Sequence, residues 1–368
     1  MHQTVSSIFR HPTHSSNVLL KGKVITLCWI TLFWLAVALH QYLDRYSYSG
    51  FNTEEDQWPV IFDLLVSVLV GSLVGGTALV FLWERWLRQM AFVKAIFYIL
   101  AWYIGLYFLV NVVSTLINLR FSPDQLASQY FVMALFMELI DANALVSSVF
   151  WFFIMMLTLA ILLIKDKFGA RVLKGFLLGK YFSPKREERI FMFMDLKSST
   201  SIAEQLGEAQ YFMFLNDAFR VANQGIVDTQ GEIYQYVGDE IVLSWDIKSG
   251  LKKANCLRCF YEMVDRLEQQ RSYFLTKYSV TPTFKAGLHS GFVIAGEMGV
   301  MKRELVYSGD VLNTAARIQS KCNDLKVNLL VSRHLMNRIN QEELKVTPES
   351  LGSLMLKGKA EKVEVMTL

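Results

Sequence analysis

Four apolar segments in the first 165 residues constrain this chain more than any other feature of its sequence. Each is close to the roughly 20 residues that a helix needs to cross a bilayer. No small-residue cleavage site follows the first segment and further segments come after it, so we interpret it as an anchor and not as a signal peptide. We therefore predict an α-helical transmembrane bundle over residues 1–164, with four spans at 24–42, 60–83, 96–116 and 144–164.

Basic residues mark one side of this predicted membrane domain, which is typical of cytoplasmic flanks. They precede the first span, separate spans two and three, and follow the fourth span, whereas the loops 43–59 and 117–143 carry more acidic than basic residues. The pattern predicts a multi-pass protein of the cell (inner or plasma) membrane with both termini in the cytoplasm. A short apolar run at 130–140 is too brief to cross the lipid bilayer and is predicted to lie at its interface or to pack against the helix bundle.

After a basic connector at 165–185, α and β signals alternate and predict a cytoplasmic α+β domain over 186–368. The order of the elements favours a sheet with helices on one face. Predicted elements are a buried strand at 189–195, a helix that starts in 198–207, an amphipathic helix at 207–229, a hairpin at 231–246, a long helix at 249–276, a strand pair within 284–299, a helix at 311–321, a strand at 327–332 and short strands in 352–368.

Two aspartates at predicted strand ends form a candidate metal site. Asp195 ends the first strand, and Asp239 follows a glycine at the turn of the hairpin. We expect the two strands to be neighbours, which would bring the carboxylates together beside the helix start LKSSTS, whose backbone N–H groups suit phosphates. Oxygen ligands favour Mg²⁺ or Mn²⁺ over Zn²⁺. Strand-end aspartates are also common as turn or capping residues, so that alternative remains open at this point.

The cytoplasmic half resembles the catalytic domain of class III nucleotidyl cyclases over about residues 186–368. The resemblance implies a ferredoxin-like core that forms a head-to-tail homodimer with active sites at the interface. It also implies a reaction, in which the ribose 3′-OH of a nucleoside triphosphate attacks its own α-phosphate and expels pyrophosphate. Five motifs carry the resemblance, in the order FMFMDLKSSTSIAEQLG, YVGDEIVLSW, AGLHSGFVIAGEMG, SGDVLNTAARIQ and LKGKAEKVEVMTL.

The same resemblance implies roles for individual residues. Asp195 and Asp239 match the family's ligands for two divalent metal ions, Mg²⁺ or Mn²⁺. Asn313 and Arg317 match its transition-state pair, and their i, i+4 spacing places them on one helix face. Their amide and guanidinium would orient the ribose and meet the charge that develops on phosphorus.

The phosphate-binding residues are predicted from two places in the chain. Lys197, Ser198, Ser199 and Thr200 lie at the predicted helix start, and Lys357 and Lys359 in LKGK are candidates for the β- and γ-phosphates. Because the aspartates would come from one subunit and the Asn/Arg pair from the other, a homodimer of this chain would build two equivalent sites.

The residues that select the base depart from the family's patterns. Adenylate cyclases of the family usually carry Lys and Asp or Thr at two positions, where guanylate cyclases carry Glu and Cys. Here these positions are Gln235 and Val306. A glutamine amide both donates and accepts hydrogen bonds, so it can pair with adenine, guanine or a pyrimidine, whereas valine can read only shape.

We predict a membrane-bound adenylate cyclase that converts ATP to 3′,5′-cyclic AMP. A guanylate or pyrimidine nucleotide cyclase is the nearest alternative, and a non-catalytic nucleotide-binding membrane receptor remains a further one. A diguanylate cyclase of the GGDEF type is disfavoured because that motif is absent from YVGDEIV. The net charge of +4 gives no case for nucleic acid as a partner. Cys256 and Cys259 form a C-x-x-C without a second pair, so we interpret them as buried thiols.

Overall fold

The structure of this chain is a computed structural model, and it divides into two compact units. One unit comprises Met1–Val18 and Lys174–Leu368, and the other comprises Leu19–Leu173. The predicted domain boundaries at 164 and 185 remain predictions. The structure describes residues 8–9, 18–48, 58–82, 90–121, 142–169, 173, 175, 178–301, 303–357 and 361–368.

The unit Leu19–Leu173 contains four apolar helices that are long enough to cross a membrane, at Leu20–Asp44, Leu64–Phe81, Ile96–Val113 and Val146–Lys165. They match the four predicted spans. Trp34 on the first donates from Nε1 to Thr158 Oγ1 on the fourth at 3.1 Å. The apolar run at 130–140 lies outside the described residues. The helices are α1 (Val18–Tyr48), α2 (Trp58–Gly71, continued by π-helical Ser72–Gly76 and Ala78–Leu82), α3 (Phe92–Phe121) and α4 (Ala142–Phe168).

The second unit is a mixed α/β domain built on one sheet, in the strand order β2-β3-β1-β4-β6-β8-β7, with β5 paired to β4. β1 is central and antiparallel to both β3 and β4. The elements are β1 (Lys185–Leu196), α5 (Ser199–Leu206), α6 (Glu208–Asp228), β2 (Glu232–Val237), β3 (Glu240–Asp246), α7 (Ile247–Leu251), α8 (Asn255–Gln269), α9 (Arg271–Tyr278), β4 (Phe284–Met298), β5 (Glu304–Ser308), α10 (Asp310–Ser320), β6 (Leu329–Ser332), α11 (Arg333–Met336), β7 (Glu349–Leu354) and β8 (Val363–Thr367).

Helices cover both faces of this sheet, so the prediction of helices on one face is wrong. Side chains alternate along β1, as strand geometry requires. Ile190, Met192 and Met194 belong to the core under α6, α8 and α9. Phe191 and Phe193 instead belong to a second core, together with residues of α10. The physical reason is that β1 carries apolar side chains on both of its faces. Both faces must therefore be covered by other elements, whereas a sheet with one solvent-exposed face has polar side chains on that face.

Two further elements differ from the sequence-based expectation. The helix predicted at 249–276 is interrupted, because Lys253 and Ala254 have φ values of 51° and 52° and separate α7 from α8. The strand pair predicted within 284–299 is instead the single 15-residue strand β4. Gly291 does not turn the chain there, and the space beside it is taken by Val311 of α10.

Two residues near the N-terminus contribute to the core of the mixed α/β unit, which the sequence did not indicate. Ile8 and Phe9 are both fully buried in the core beneath α6 and α8. Phe9 forms an antiparallel bridge with Leu344, and the N–H of Lys345 donates to the carbonyl of Ile8 at 2.7 Å. Ile8 and Phe9, which precede α1, are therefore paired with the sheet unit by both backbone and side chains.

Candidate functional site

A row of three charged side chains crosses the sheet at the end of β1. Asp195 lies directly opposite Glu240 of β3 and opposite Lys285 of β4. Directly opposed residues of antiparallel strands point to the same face, which here is the face that α10 covers. The Lys285 Nζ lies 3.2 Å from Asp195 Oδ2 and is the basic partner of that carboxylate in the described structure.

The hairpin between β2 and β3 brings Asp239 next to this row. Gly238 has a φ of 63°, and a two-residue turn with a positive φ at its first central position suits a glycine there. Asp239 is the second turn residue and directly precedes Glu240. The structure thus places Asp195 and Asp239 together, as the sequence predicts.

The local charge is strongly negative. Burial and the neighbouring charge of Asp239 raise the pKa of Asp195, although Lys285 acts in the opposite direction. Burial, followed by repulsion from Asp195 and Asp239, raises the pKa of Glu240 to about 7. Three carboxyl groups with one lysine are a poor electrostatic arrangement without a further cation, because like charges disfavour each other's ionised form.

The donor set fits hard divalent cations. Asp195 and Asp239 offer only oxygen ligands, which Mg²⁺ and Mn²⁺ prefer. Within the described part of the chain, no three His, Cys, Asp or Glu side chains converge as ligands of one metal ion. A two-carboxylate site leaves the other coordination positions to nucleotide oxygens and water, which is usual for Mg²⁺.

Helix α10 contacts Asp195 with one side chain, and two other side chains of the helix point away from the aspartates. Gln319 donates from Nε2 to Asp195 Oδ2 at 3.1 Å. The buried side of the helix includes Val311, Ala315 and Ile318. At 100° per residue, Asn313 and Arg317 lie on the opposite side of the helix.

The Asn/Arg pair therefore does not reach the aspartates of its own chain. Asn313 is exposed and Arg317 is half-buried. Among the described residues, neither side chain makes a hydrogen bond or ion pair. The i, i+4 arrangement that the sequence predicts is present, but one chain presents it outward.

The N-terminus of α5 follows Asp195 closely. Ser198 has a left-handed φ of 55° at the cap position, and its carbonyl accepts the first helical hydrogen bond from Ile202 at 3.0 Å. The N–H groups of Ser199 and Thr200 precede that bond, as is general for the first turn of a helix. Lys197 points elsewhere, because its ammonium donates to Asn328 Oδ1 and its N–H donates to the carbonyl of Thr283.

The remaining predicted site residues are distributed as follows. Gln235 is exposed on β2 opposite Val242, and Val306 is half-buried on β5 opposite Gly296. Lys357 is exposed in a turn. Lys359 lies outside the described residues.

Three residues of this site were not predicted from the sequence. Lys285, Gln319 and Glu240 reach the aspartates through strand register and helix packing, and none belongs to a spacing pattern of its own. A sequence signal for Glu240 was present, since it directly follows Asp239 in the hairpin. The available signal for Lys285 was its place at the start of the strand that contains AGLHSG.

Comparison with known proteins agrees with this geometry. A family model for the adenylate and guanylate cyclase catalytic domain matches residues 183–368. Adenylate cyclase 2 of Rhizobium meliloti (strain 1021) is 33% identical over 208 residues, which are 56% of this chain and 57% of that protein. The adenylate cyclase of Anabaena cylindrica is 25% identical over 182 residues, which are 47% of this chain and 35% of that protein.

A solved structure of a bacterial light-regulated adenylyl cyclase shares the fold, with a TM-score of 0.53 at 21% identity, over 62% of this chain and 66% of that chain. This chain thus spans little more than half of the first relative's length and about a third of the second's. The matched family region contains the aspartate pair, β4 and helix α10, and it makes up half of the chain. The protein therefore belongs to the adenylate and guanylate cyclase catalytic domain family.

Proposed function

We propose that this protein is a membrane-bound adenylate cyclase whose active sites are each shared by two copies of the chain. The observation that carries the proposal is that the candidate site residues of α10 point in two directions. Gln319 faces the aspartate pair of its own chain, whereas Asn313 and Arg317 face outward from the same helix. A site that needs both sets is completed by a second copy, as in the head-to-tail homodimer that the resemblance implies, and two-fold symmetry in that dimer would give two equivalent sites.

Asp195 and Asp239 would hold two divalent metal ions, Mg²⁺ or Mn²⁺. When bound, such ions supply charge neutralisation at the phosphates and lower the pKa of the attacking hydroxyl. The chain's own groups then bind and orient the nucleotide. The ammonium of Lys285, 3.2 Å from Asp195 Oδ2, would offset part of the negative charge of this site.

The N-terminal N–H groups of α5, at Ser199 and Thr200, suit the phosphates because the first turn of a helix attracts anions. Ser198 and its left-handed backbone position this turn. Lys357 lies in an exposed turn and stays a prediction, as do Lys197 and Lys359.

The partner's α10 would supply the groups that act on the reacting atoms. Asn313 orients the ribose, and Arg317 stabilises the charge on the α-phosphoryl group as the 3′-oxygen forms its bond to phosphorus. The bond to the bridging oxygen of pyrophosphate breaks in the same displacement, and the 3′-hydroxyl proton leaves to solvent. Positioning and electrostatics account for most of the catalysis of such transfers.

Adenine is the proposed base, and the named relatives support it because the first two are adenylate cyclases. Gln235 would form hydrogen bonds with the edge of the base, and Val306 would restrict the shape of the base that fits. Guanine or a pyrimidine remains the alternative that a direct comparison of substrates decides.

The proposed location is the cell membrane, with the catalytic unit and both termini in the cytoplasm. The four apolar helices support the membrane, and the basic flanks support the orientation. The bridge between Phe9 and Leu344 adds an independent argument. A segment that precedes the first span and pairs with the catalytic unit must lie on the same side of the bilayer as that unit, which an even number of spans satisfies.

The pairing of the N-terminal segment can be tested by a disulfide. Opposed residues of antiparallel strands lie about 4.5–5.5 Å apart between Cα atoms, within the range of disulfides. The double variant Phe9→Cys, Leu344→Cys is expected to cross-link after mild oxidation of the full-length protein in nanodiscs, as detected by mass spectrometry of linked peptides. The control pair Phe9→Cys, Val300→Cys should not cross-link, since Val300 is exposed in the loop after β4 and lies outside the core that contains Phe9. Absence of the first cross-link would contradict the proposed pairing.

The proposed function is tested with the full-length protein in nanodiscs, incubated separately with ATP, GTP, CTP and UTP and with Mg²⁺ or Mn²⁺. Cyclic AMP from ATP, identified by mass, is the expected product. A cyclic product from GTP alone would show a guanylate cyclase. Nucleotide binding without any cyclic product would favour the non-catalytic receptor and reject the enzymatic proposal.

A further inference from the structure

Two tyrosines lie beside the two base-selecting positions and contact each other. Tyr234 directly precedes Gln235, and Tyr307 directly follows Val306. Their ring centroids are 5.1 Å apart, and the N–H of Tyr307 donates to Tyr234 Oη at 3.4 Å. Tyr234 lies where the register between β2 and β3 shifts. It is therefore the bulge residue of β2, and its ring contacts Tyr307 of β5.

Arg189 of β1 contacts both β2 and β5. Its guanidinium lies 4.6 Å from the ring centroid of Tyr307 on β5. On the other side, Nη2 donates to Glu232 Oε2 at 2.5 Å, two residues before Tyr234 on β2. The same nitrogen donates to Ser244 Oγ at 2.9 Å, and Nη1 lies 3.4 Å from Glu187. One buried cation thus contacts both strands that carry the base-selecting residues.

The cluster is largely removed from water. The Arg189 side chain is 2% exposed, and Glu232 is 19% exposed. Removing one partner of a buried ion pair leaves an uncompensated charge, which is strongly unfavourable. Phe191 packs against both tyrosine rings, at 6.3 and 5.5 Å between centroids. The cluster therefore holds β2 and β5 at one separation.

We propose that Arg189 is a positioning residue for base selection, which sets the distance between Gln235 and Val306 through Glu232, Tyr234 and Tyr307. It does not touch the nucleotide. The inference rests on the proposed function for its biological meaning. A base pocket whose width depends on a buried cation discriminates between bases through shape and hydrogen-bond geometry, and small displacements change both.

The test compares two buried arginines. Arg258 on α8 is also 2% exposed and pairs with Glu262 at 3.4 Å, but it lies in the helical layer on the other face of the sheet. The full-length variants Arg189→Met and Arg258→Met are both expected to lower the unfolding temperature. Arg189→Met should also change the ratio of kcat/KM for ATP to that for GTP by about tenfold. Arg258→Met should leave this ratio within about twofold of wild type.

A milder variant keeps the inference falsifiable if Arg189→Met does not fold. Glu232→Gln has the same shape and weakens the ion pair, so we expect the ratio to change in the same direction by a smaller factor. An unchanged ratio in a folded Glu232→Gln or Arg189→Met protein would overturn the inference.

The two proposals fail differently. If the wild type binds nucleotides without cyclising them, the proposed function is rejected. The ratio of dissociation constants for ATP and GTP, measured by competition with a fluorescent nucleotide, then tests Arg189 in the same way. A changed ratio in Arg189→Met with an unchanged one in Arg258→Met would support the inference even then.

Discussion

The cyclase activity of the Asp239→Ala variant is expected to fall by at least about 100-fold, because the substitution removes one of the two proposed metal ligands beside the reacting phosphate. The fold should be retained, since Asp239 lies in a turn at the edge of the sheet. The measurement is the initial rate of cyclic AMP formation by the full-length protein at saturating Mn²⁺. Arg317→Ala should show a comparable loss, since its guanidinium would meet the charge on the α-phosphoryl group.

Mixing these two variants provides the sharper test of the shared site. A heterodimer of Asp239→Ala and Arg317→Ala has one site with both defects and one site with neither. Co-expressed variants should therefore recover about a quarter of the wild-type rate if dimers form randomly, because half of the dimers are heterodimers with one intact site. If heterodimers form, as shown by two affinity tags, and no activity returns, the assignment of Asp239 and Arg317 to one shared site is wrong.

Substitution of Gly287 by alanine is expected to have the second largest effect. A Cβ at this position would lie 2.2 Å from the backbone nitrogen of Gln319 and 2.6 Å from its Cα. Backbone atoms cannot rotate away as a side chain can, so α10 must move from β4. A displacement of about 1 Å at a catalytic group can cost about 100-fold in rate. The Gly287→Ala variant should thus lose activity through the displacement of Asn313, Arg317 and Gln319 together.

Gly296→Ala on the same strand is the matched control. Its Cβ would meet Pro184 at 3.4 Å, an ordinary van der Waals distance. We expect this variant to retain activity within about threefold of wild type. For Gly287→Ala, overpacking should also lower the free energy of unfolding by about 1–3 kcal/mol, measured by thermal denaturation. Wild-type activity in Gly287→Ala would show that the position of α10 on β4 does not control catalysis.

The sequence predicted the helices and strands better than it predicted their packing. Long apolar segments identified the four spans and a short apolar run identified β1, because complete burial leaves a direct trace in the order of residues. The sequence could not show the break at Lys253 and Ala254, since neither residue type normally has a positive φ. It also assigned two strands where β4 is one, because glycines mark turns more often than close contacts.

The same limit applies to the site. The proximity of Asp195 and Asp239 was predictable, since both lie at strand ends on neighbouring strands. Lys285 reaches Asp195 through the register of β1 with β4, 90 positions along the chain, and no local pattern encodes that register. The cluster around Arg189 shows the same limit, because its partners come from β1, β2, β3 and β5.

Helix α10 takes part in two active sites of the proposed dimer at once. Gln319 donates a hydrogen bond to Asp195 of its own subunit. Arg317, two residues earlier, would act on the nucleotide bound by the other subunit. If nucleotide binding to one site moves this helix, the hydrogen bond to Asp195 in the neighbouring site changes with it. The two sites of the proposed dimer would then be thermodynamically linked, so we expect nucleotide saturation to be cooperative, with the metal affinity of one site reporting the occupancy of the other.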